Sequence, residues 1–188
     1  MSAFSQPFLD MYRISHKMIL RLAERAEPHQ LEWQPAGPSH SIAYELWHLA
    51  RWADHLHARL PVMTRSMPQW MAPRAELWQQ EQLAHAWSFP EPGMLGHDET
   101  GMYMSDDTAA SLPMPEKAVL LDYARRAFSA AEQAVAQVPE DQYLEPNVED
   151  PTEKVFDVLL SHLHHEGRHL GMMEELLGIQ GERGTASG

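Results

Sequence analysis

The 188-residue sequence predicts an all-α protein, a four-helix bundle with a long insertion between its second and third helices. Two observations carry this expectation. Four segments place apolar residues at steps of three and four, the spacing that collects them on one helical face. Each segment is also bracketed by residues that start or stop helices. A chain of this length can bury one core, and 44% hydrophobic with 22% charged residues is ordinary for a globular domain.

The first helix is expected from about Phe4 to Ala26, bounded by Pro28 and Pro35. Its stripe is Phe8, Met11, Ser15, Met18 and Leu22, with Tyr12 and Ile19 beside it. The second runs from about Ser39 to Leu60, capped by Ser39 or Ser41 and stopped by Pro61. Ile42, Leu46, Leu49, Ala53, Leu56 and Leu60 form its core face. The third starts at Pro115, a residue suited to a first helical position, and ends at Pro139. Val119, Tyr123, Ala127, Ala130, Ala134 and Val138 make its stripe. The fourth reads from Asp150 as cap, with Pro151 first and Glu153 completing a capping box, to Gly178 just past its end. Its stripe is Val155, Val158, His162, His165, His169, Met172 and Leu176.

The insertion covers residues 61–114 and is rich in Pro, Met and Trp. Arg74 to Trp87 has helical character, whereas Phe89 to Met114 reads as loop. A bundle with short connections has no need of such a segment. Loops of this length are usually functional or disordered, and Trp70, Trp78 and Trp87 argue for packing. The segment Trp70 to Met104 is therefore expected to wall one side of a functional pocket or a dimer contact beside it. The domain is read as residues 1–178, with 179–188 as a flexible tail.

Charge narrows the function. Acidic residues outnumber basic ones 27 to 14, which disfavours nucleic acid and anionic membrane as partners. There is no Cys, hence no disulfide and no thiol nucleophile within the chain. The first ten residues do not read as a signal peptide and no apolar run spans a bilayer, so a cytoplasmic location is expected.

Twelve residues are His, four of them between His162 and His169. Three consecutive stripe positions of the fourth helix are His where a bundle core asks for aliphatic residues. Buried imidazoles need their nitrogens satisfied, and one divalent metal would satisfy several at once. Residues four apart lie about 6 Å apart along a helix, so one ion can take His165 with either His169 or His162. His162 and His169 are about 10 Å apart and too distant to share it. His164 is rotated off the face. His48, level with His169 if the second and fourth helices are antiparallel, is the candidate third ligand. His55 and His57 read as solvated. Glu45 precedes His48 by one turn and Glu166 precedes His169 by one turn, so each is a candidate to orient a ligand or act as a base. The two Glu-x-x-His pairs also make half of a di-iron carboxylate pattern.

The segment Ser41-Ile42-Ala43-Tyr44-Glu45-Leu46-Trp47-His48-Leu49-Ala50-Arg51-Trp52-Ala53-Asp54 resembles the second-helix signature of the DinB-like superfamily. His165-Glu166-Gly167-Arg168-His169-Leu170-Gly171-Met172 resembles its fourth-helix metal motif, and the likeness extends over about residues 8 to 178. The resemblance implies a four-helix bundle with a divalent metal, zinc or nickel above iron or manganese, held by His48, His165 and His169. It also implies a small-molecule substrate, as in relatives that are bacillithiol- or mycothiol-dependent S-transferases or a maleylpyruvate isomerase. The chain departs from the commoner His-His-Arg-Gly-Gln ending of that motif, so a substrate contact through those residues does not carry over. A low-molecular-weight-thiol transferase or isomerase is thus the first expectation, and a non-catalytic metal or small-molecule binding protein the alternative.

Overall fold

The computed structural model describes residues 4–37 and 39–185. Its four long helices are α1 (Ser5–Arg25), α2 (Ile42–Arg59), α3 (Lys117–Val135) and α4 (Val155–Ile179). No strand occurs among the described residues, only isolated bridges between His97 and Met102 and between Pro146 and Lys154. The all-α bundle expected from the periodicity is present.

Side-chain pairings fix the helix directions. Tyr12 bonds the carbonyl of Leu159, and His16 meets Glu166, so α1 and α4 run parallel. His16 meets Glu132 while Glu24 meets Arg125, so α1 and α3 are antiparallel. Glu45 meets His169 and His48 meets His165, so α2 and α4 are antiparallel, as the level placement of His48 required. The order is up, down, down, up. This corrects the expectation about the connection: α2 and α3 are parallel, so the chain must return the whole length of the bundle. An 18-residue helix is about 27 Å long at ~1.5 Å per residue, which takes about eight fully extended residues to span, so a tight turn cannot make the connection.

The crossover is built of short pieces. Leu77–Gln80 and Leu83–Ala86 are helical, separated by Gln82 at φ 50°. The 89–114 region, expected as loop, also contains a helix at Asp106–Ser111, capped by the Ser105 hydroxyl. Trp78 is fully buried against Trp47, Phe89 and Tyr123, and Trp87 packs beside it. Trp70 is 60% exposed, contrary to its expected role in packing. The crossover covers the face of α2 that the bundle leaves open, which is why most of α2 is buried.

Three sequence-derived faces need correction. In α1, Met11 is exposed and the core face is Phe8, Tyr12, His16, Ile19 and Ala23. In α3, Val119 is exposed, while Leu120 and Phe128 face inward. In α4, Met172 is exposed and the core stripe is Val155, Leu159, His162, Glu166, Leu170, Met173 and Leu177. His165 and His169 therefore flank the stripe rather than lie on it. The start of α4 also differs. Asp150 accepts from the backbone and hydroxyl of Thr152, closing a turn, and Asp157 accepts from the Lys154 amide where the helix begins. After Ile179 the chain turns back onto α1, where Arg25 donates to the carbonyls of Arg183 and Thr185. The last three residues of the expected tail lie outside the described residues.

Candidate metal centre

His48 lies in the middle of α2, and His165 and His169 lie one turn apart on α4. Antiparallel packing brings the three together, with ligand atoms all within 4.8 Å of one another. Their ring centroids are 4.3 to 5.0 Å apart. His162, the other partner that helical spacing allowed for His165, is outside the group. His164 is exposed.

The groups around the three rings decide which nitrogens point inward. His48 donates from Nδ1 to the carbonyl oxygen of Thr100, which leaves Nε2 as a lone pair. His169 donates from Nδ1 to Glu45 Oε2 and likewise offers Nε2. A carbonyl or carboxylate behind an imidazole is the usual device that orients a metal-binding His. His48 Nε2 faces His165 Nε2 at 3.1 Å. Without a cation, one proton must sit between these two acceptors. Two nitrogens about 2.0–2.1 Å from a tetrahedral ion lie roughly 3.3 Å apart, close to the 3.1 Å between His48 and His165.

Electrostatics keep the rings in the form that ligates. Burial lowers His48 to about 4, and the neighbouring His169 adds to the effect. Burial, then His169 and His48, lower His165 to about 3. Both are neutral at pH 7, as metal binding demands. Burial by itself would raise Glu45, but hydrogen bonds from His169 and His40 outweigh it and hold the carboxyl down to about 2. Glu45 is thus an anion beside the site, and it serves His169 across the helix interface rather than His48 on its own helix.

The three rings open onto a cavity of about 830 Å³ lined by Tyr44, Trp52, Met102, Tyr103, Met104 and Arg168, among others. The crossover does wall this pocket, through residues 101–104. Trp70, Trp78 and Trp87 do not line it.

Glu166 is placed differently from the expectation. It is fully buried and accepts from His16 Nε2 at 3.0 Å, turned away from His169. The carboxylates of the two Glu-x-x-His motifs therefore do not share a centre, and the di-iron arrangement is not formed. His16 itself escaped the sequence reading. It sits four residues after Tyr12 and three before Ile19, a polar residue on an apolar face, the same signal that drew attention to α4. His55 and His57, expected on a solvated face, are instead half-buried and buried. They pair with Glu76 and Asp54 respectively. The Thr100 carbonyl had no sequence signal, because any residue has a carbonyl.

Fold and site together define a helical-bundle protein with a three-imidazole group able to hold a divalent ion. The chain belongs to the DinB superfamily, whose family model matches residues 11–173. Its fold is similar to a crystal structure of a conserved protein from Enterococcus faecalis, with a TM-score of 0.78 and 17% identity. That match covers 97% of this chain and 99% of the other. No curated protein matches the sequence.

Proposed function

We propose that this protein is a metal-dependent enzyme that activates a low-molecular-weight thiol, as an S-transferase or thiol-dependent isomerase. The observation that carries the reading is the convergence of three imidazoles, two of them oriented from behind, at the wall of an open cavity. Zinc or nickel is the proposed ion, with iron or manganese as the next choices. Held by three neutral ligands it would keep its full charge and lower the pKa of a thiol or water in the remaining position toward neutrality. The chain has no Cys, so the thiol must come from outside. In the transferase form, the thiolate sulfur bonds to the electrophilic carbon, the leaving group departs with its electron pair, and the thiol proton passes to solvent. Glu45 keeps His169 aligned, the Thr100 carbonyl keeps His48 aligned, and Tyr44, Trp52 and Met102 line the pocket beside the rings.

A non-catalytic binding role is the second reading. It is favoured by the engagement of both candidate carboxylates: Glu45 by His169 and His40, Glu166 by His16. Neither is free to act as a base in the cavity. The test is turnover of 1-chloro-2,4-dinitrobenzene with 2-mercaptoethanol or cysteine by zinc- and nickel-loaded protein. Metal-dependent turnover that is lost in His165→Ala supports the enzyme. A full equivalent of bound metal with no turnover of any thiol–electrophile pair supports the binding protein.

We further propose a cytoplasmic homodimer acting on small molecules rather than nucleic acid or membrane. The acidic excess of the chain disfavours phosphate-bearing partners, and no helix among the described residues is long and apolar enough to cross a membrane. Sedimentation velocity tests the dimer.

A further inference from the structure

The loop that carries Thr100 to His48 has an unusual backbone. Asp98, Glu99 and Tyr103 have φ of 50°, 55° and 65°, and Gly96 and Gly101 have φ of 76° and 88°. Non-glycine residues adopt this left-handed region only when their surroundings impose it. The imposing group is on α2. Arg51 is fully buried, one turn beyond His48. Its Nε donates to the Glu99 carbonyl and its Nη2 to the Asp98 carbonyl, each at 3.0 Å. Nη2 also donates to Glu76, and Nη1 donates to Asp54 and to the Tyr123 hydroxyl. These five bonds use all five N–H groups of a guanidinium. The Glu99 carboxylate is held in turn by Trp78 Nε1 and Gln79.

The two carbonyls that Arg51 grips immediately precede Thr100. On the other side of Thr100, Gly101 is pressed so close to the site that an added Cβ would lie 2.8 Å from the Tyr44 hydroxyl and 3.0 Å from His48 Nδ1. The Thr100 carbonyl is thus fixed from both flanks in the one place where it can accept from His48.

We propose that Arg51 is a positioning residue for the metal centre. By clamping Asp98 and Glu99 it holds the Thr100 carbonyl on His48 Nδ1, and so keeps His48 in the tautomer that presents Nε2 to the ion. The crossover is then part of the metal site and sets its affinity. This inference rests on the reading of the three His residues as ligands.

The test is the zinc dissociation constant, measured by competition with a chromophoric chelator, for wild type, Arg51→Lys, Glu99→Ala and a control, Val135→Ala. Lysine keeps the charge beside Asp54 but has no fork to hold two carbonyls. Glu99→Ala removes the carboxylate that Trp78 and Gln79 hold and so loosens the same loop without touching the Arg51 side chain or His48, so the link stays testable if the Arg51 variant folds poorly. Val135 is buried in the core among Leu56, Leu60 and Ala134, apart from the loop. Loss of a second-sphere partner weakens metal affinity about 10- to 100-fold. That weakening is expected in both loop variants, whereas Val135→Ala should lower the melting temperature of metal-free protein and leave the constant unchanged. A constant within threefold of wild type in folded Arg51→Lys, or in Glu99→Ala where the Arg51 variant does not fold, would overturn the proposal. If wild type takes up no zinc, the metal reading itself fails. The His48 tautomer, read from imidazole ¹⁵N shifts of metal-free protein, then decides alone. A single Nδ1–H form in wild type that becomes a mixture in the loop variants supports the clamp, and an unchanged tautomer refutes it.

Discussion

Removing the His16 side chain should strand a charge in the middle of the bundle. His16 on α1 lies between Glu166 on α4, at 3.0 Å, and Glu132 on α3, at 2.8 Å, and stacks on Phe128. Burial opposes its charge, but the two carboxylates, Glu166 foremost, outweigh it and push the imidazole up to about 9. Burial likewise opposes the charge on Glu166, and His16 outweighs it, holding that carboxyl well below the usual range. In His16→Leu the Glu166 carboxylate keeps its burial and loses its counter-charge. Breaking such a pair costs about 3–5 kcal/mol, which at ~2–4 °C per kcal/mol for a chain of this size lowers the melting temperature by about 10 °C. The pH dependence has a definite sign. The folded pKa is raised above the unfolded value of 6.5, so the proton's contribution is complete below pH 6.5 and lost as pH rises through about 9. At ~1.4 kcal/mol per pH unit this is about 3 kcal/mol. Urea unfolding in chelator at pH 6.5 and pH 9.5, for wild type and His16→Leu, measures both. Wild type should lose its advantage over the variant as the pH rises. A stability gap that stays constant over this range, or one below about 1 kcal/mol at pH 6.5, would refute the charged-pair account.

Three further outcomes follow from the geometry. His48→Ala, His165→Ala and His169→Ala should each cut bound metal sharply by elemental analysis of untagged protein, while His164→Ala leaves it unchanged; full metal content in both the His165 and His169 variants would contradict the assignment. Chelation should lower the melting temperature yet leave the far-UV helical signal intact, because ligand binding favours the folded state while the two hydrophobic clusters do not depend on the site. Asp54→Ala should unlatch the crossover, since this buried carboxylate accepts from Arg51, His57, Tyr123 and the amides of Leu77 and Trp78. A loss of about 3–5 kcal/mol and faster proteolysis within residues 74–104 are expected, and an uncut crossover would count against the latch.

The sequence alone determined the four long helices, because apolar periodicity is a local property. Ser41 caps α2 by accepting from the Tyr44 amide, and every apolar residue of the Ile42–Leu60 stripe is buried. It also singled out His48, His165 and His169. Helical spacing offered His165 with His169 or His162, the level of the second helix offered His48, and the family likeness pointed to the same three. Rotation of a helix about its axis was less legible. In α4, Glu166 and the leucines beside the histidines decide which side is core, and a stripe read one residue off exchanges His165 for Glu166. Whether a polar residue belongs in a core depends on partners from other helices, as Glu132 and Glu166 are for His16. The tertiary structure alone decided the parallel pairing of α2 with α3, which requires a crossover in place of a tight turn. It alone placed the Thr100 carbonyl behind His48 and the five-bonded Arg51 behind Thr100. A backbone carbonyl carries no mark in the sequence, and a buried arginine is recognised only once the groups that compensate its charge have been brought around it.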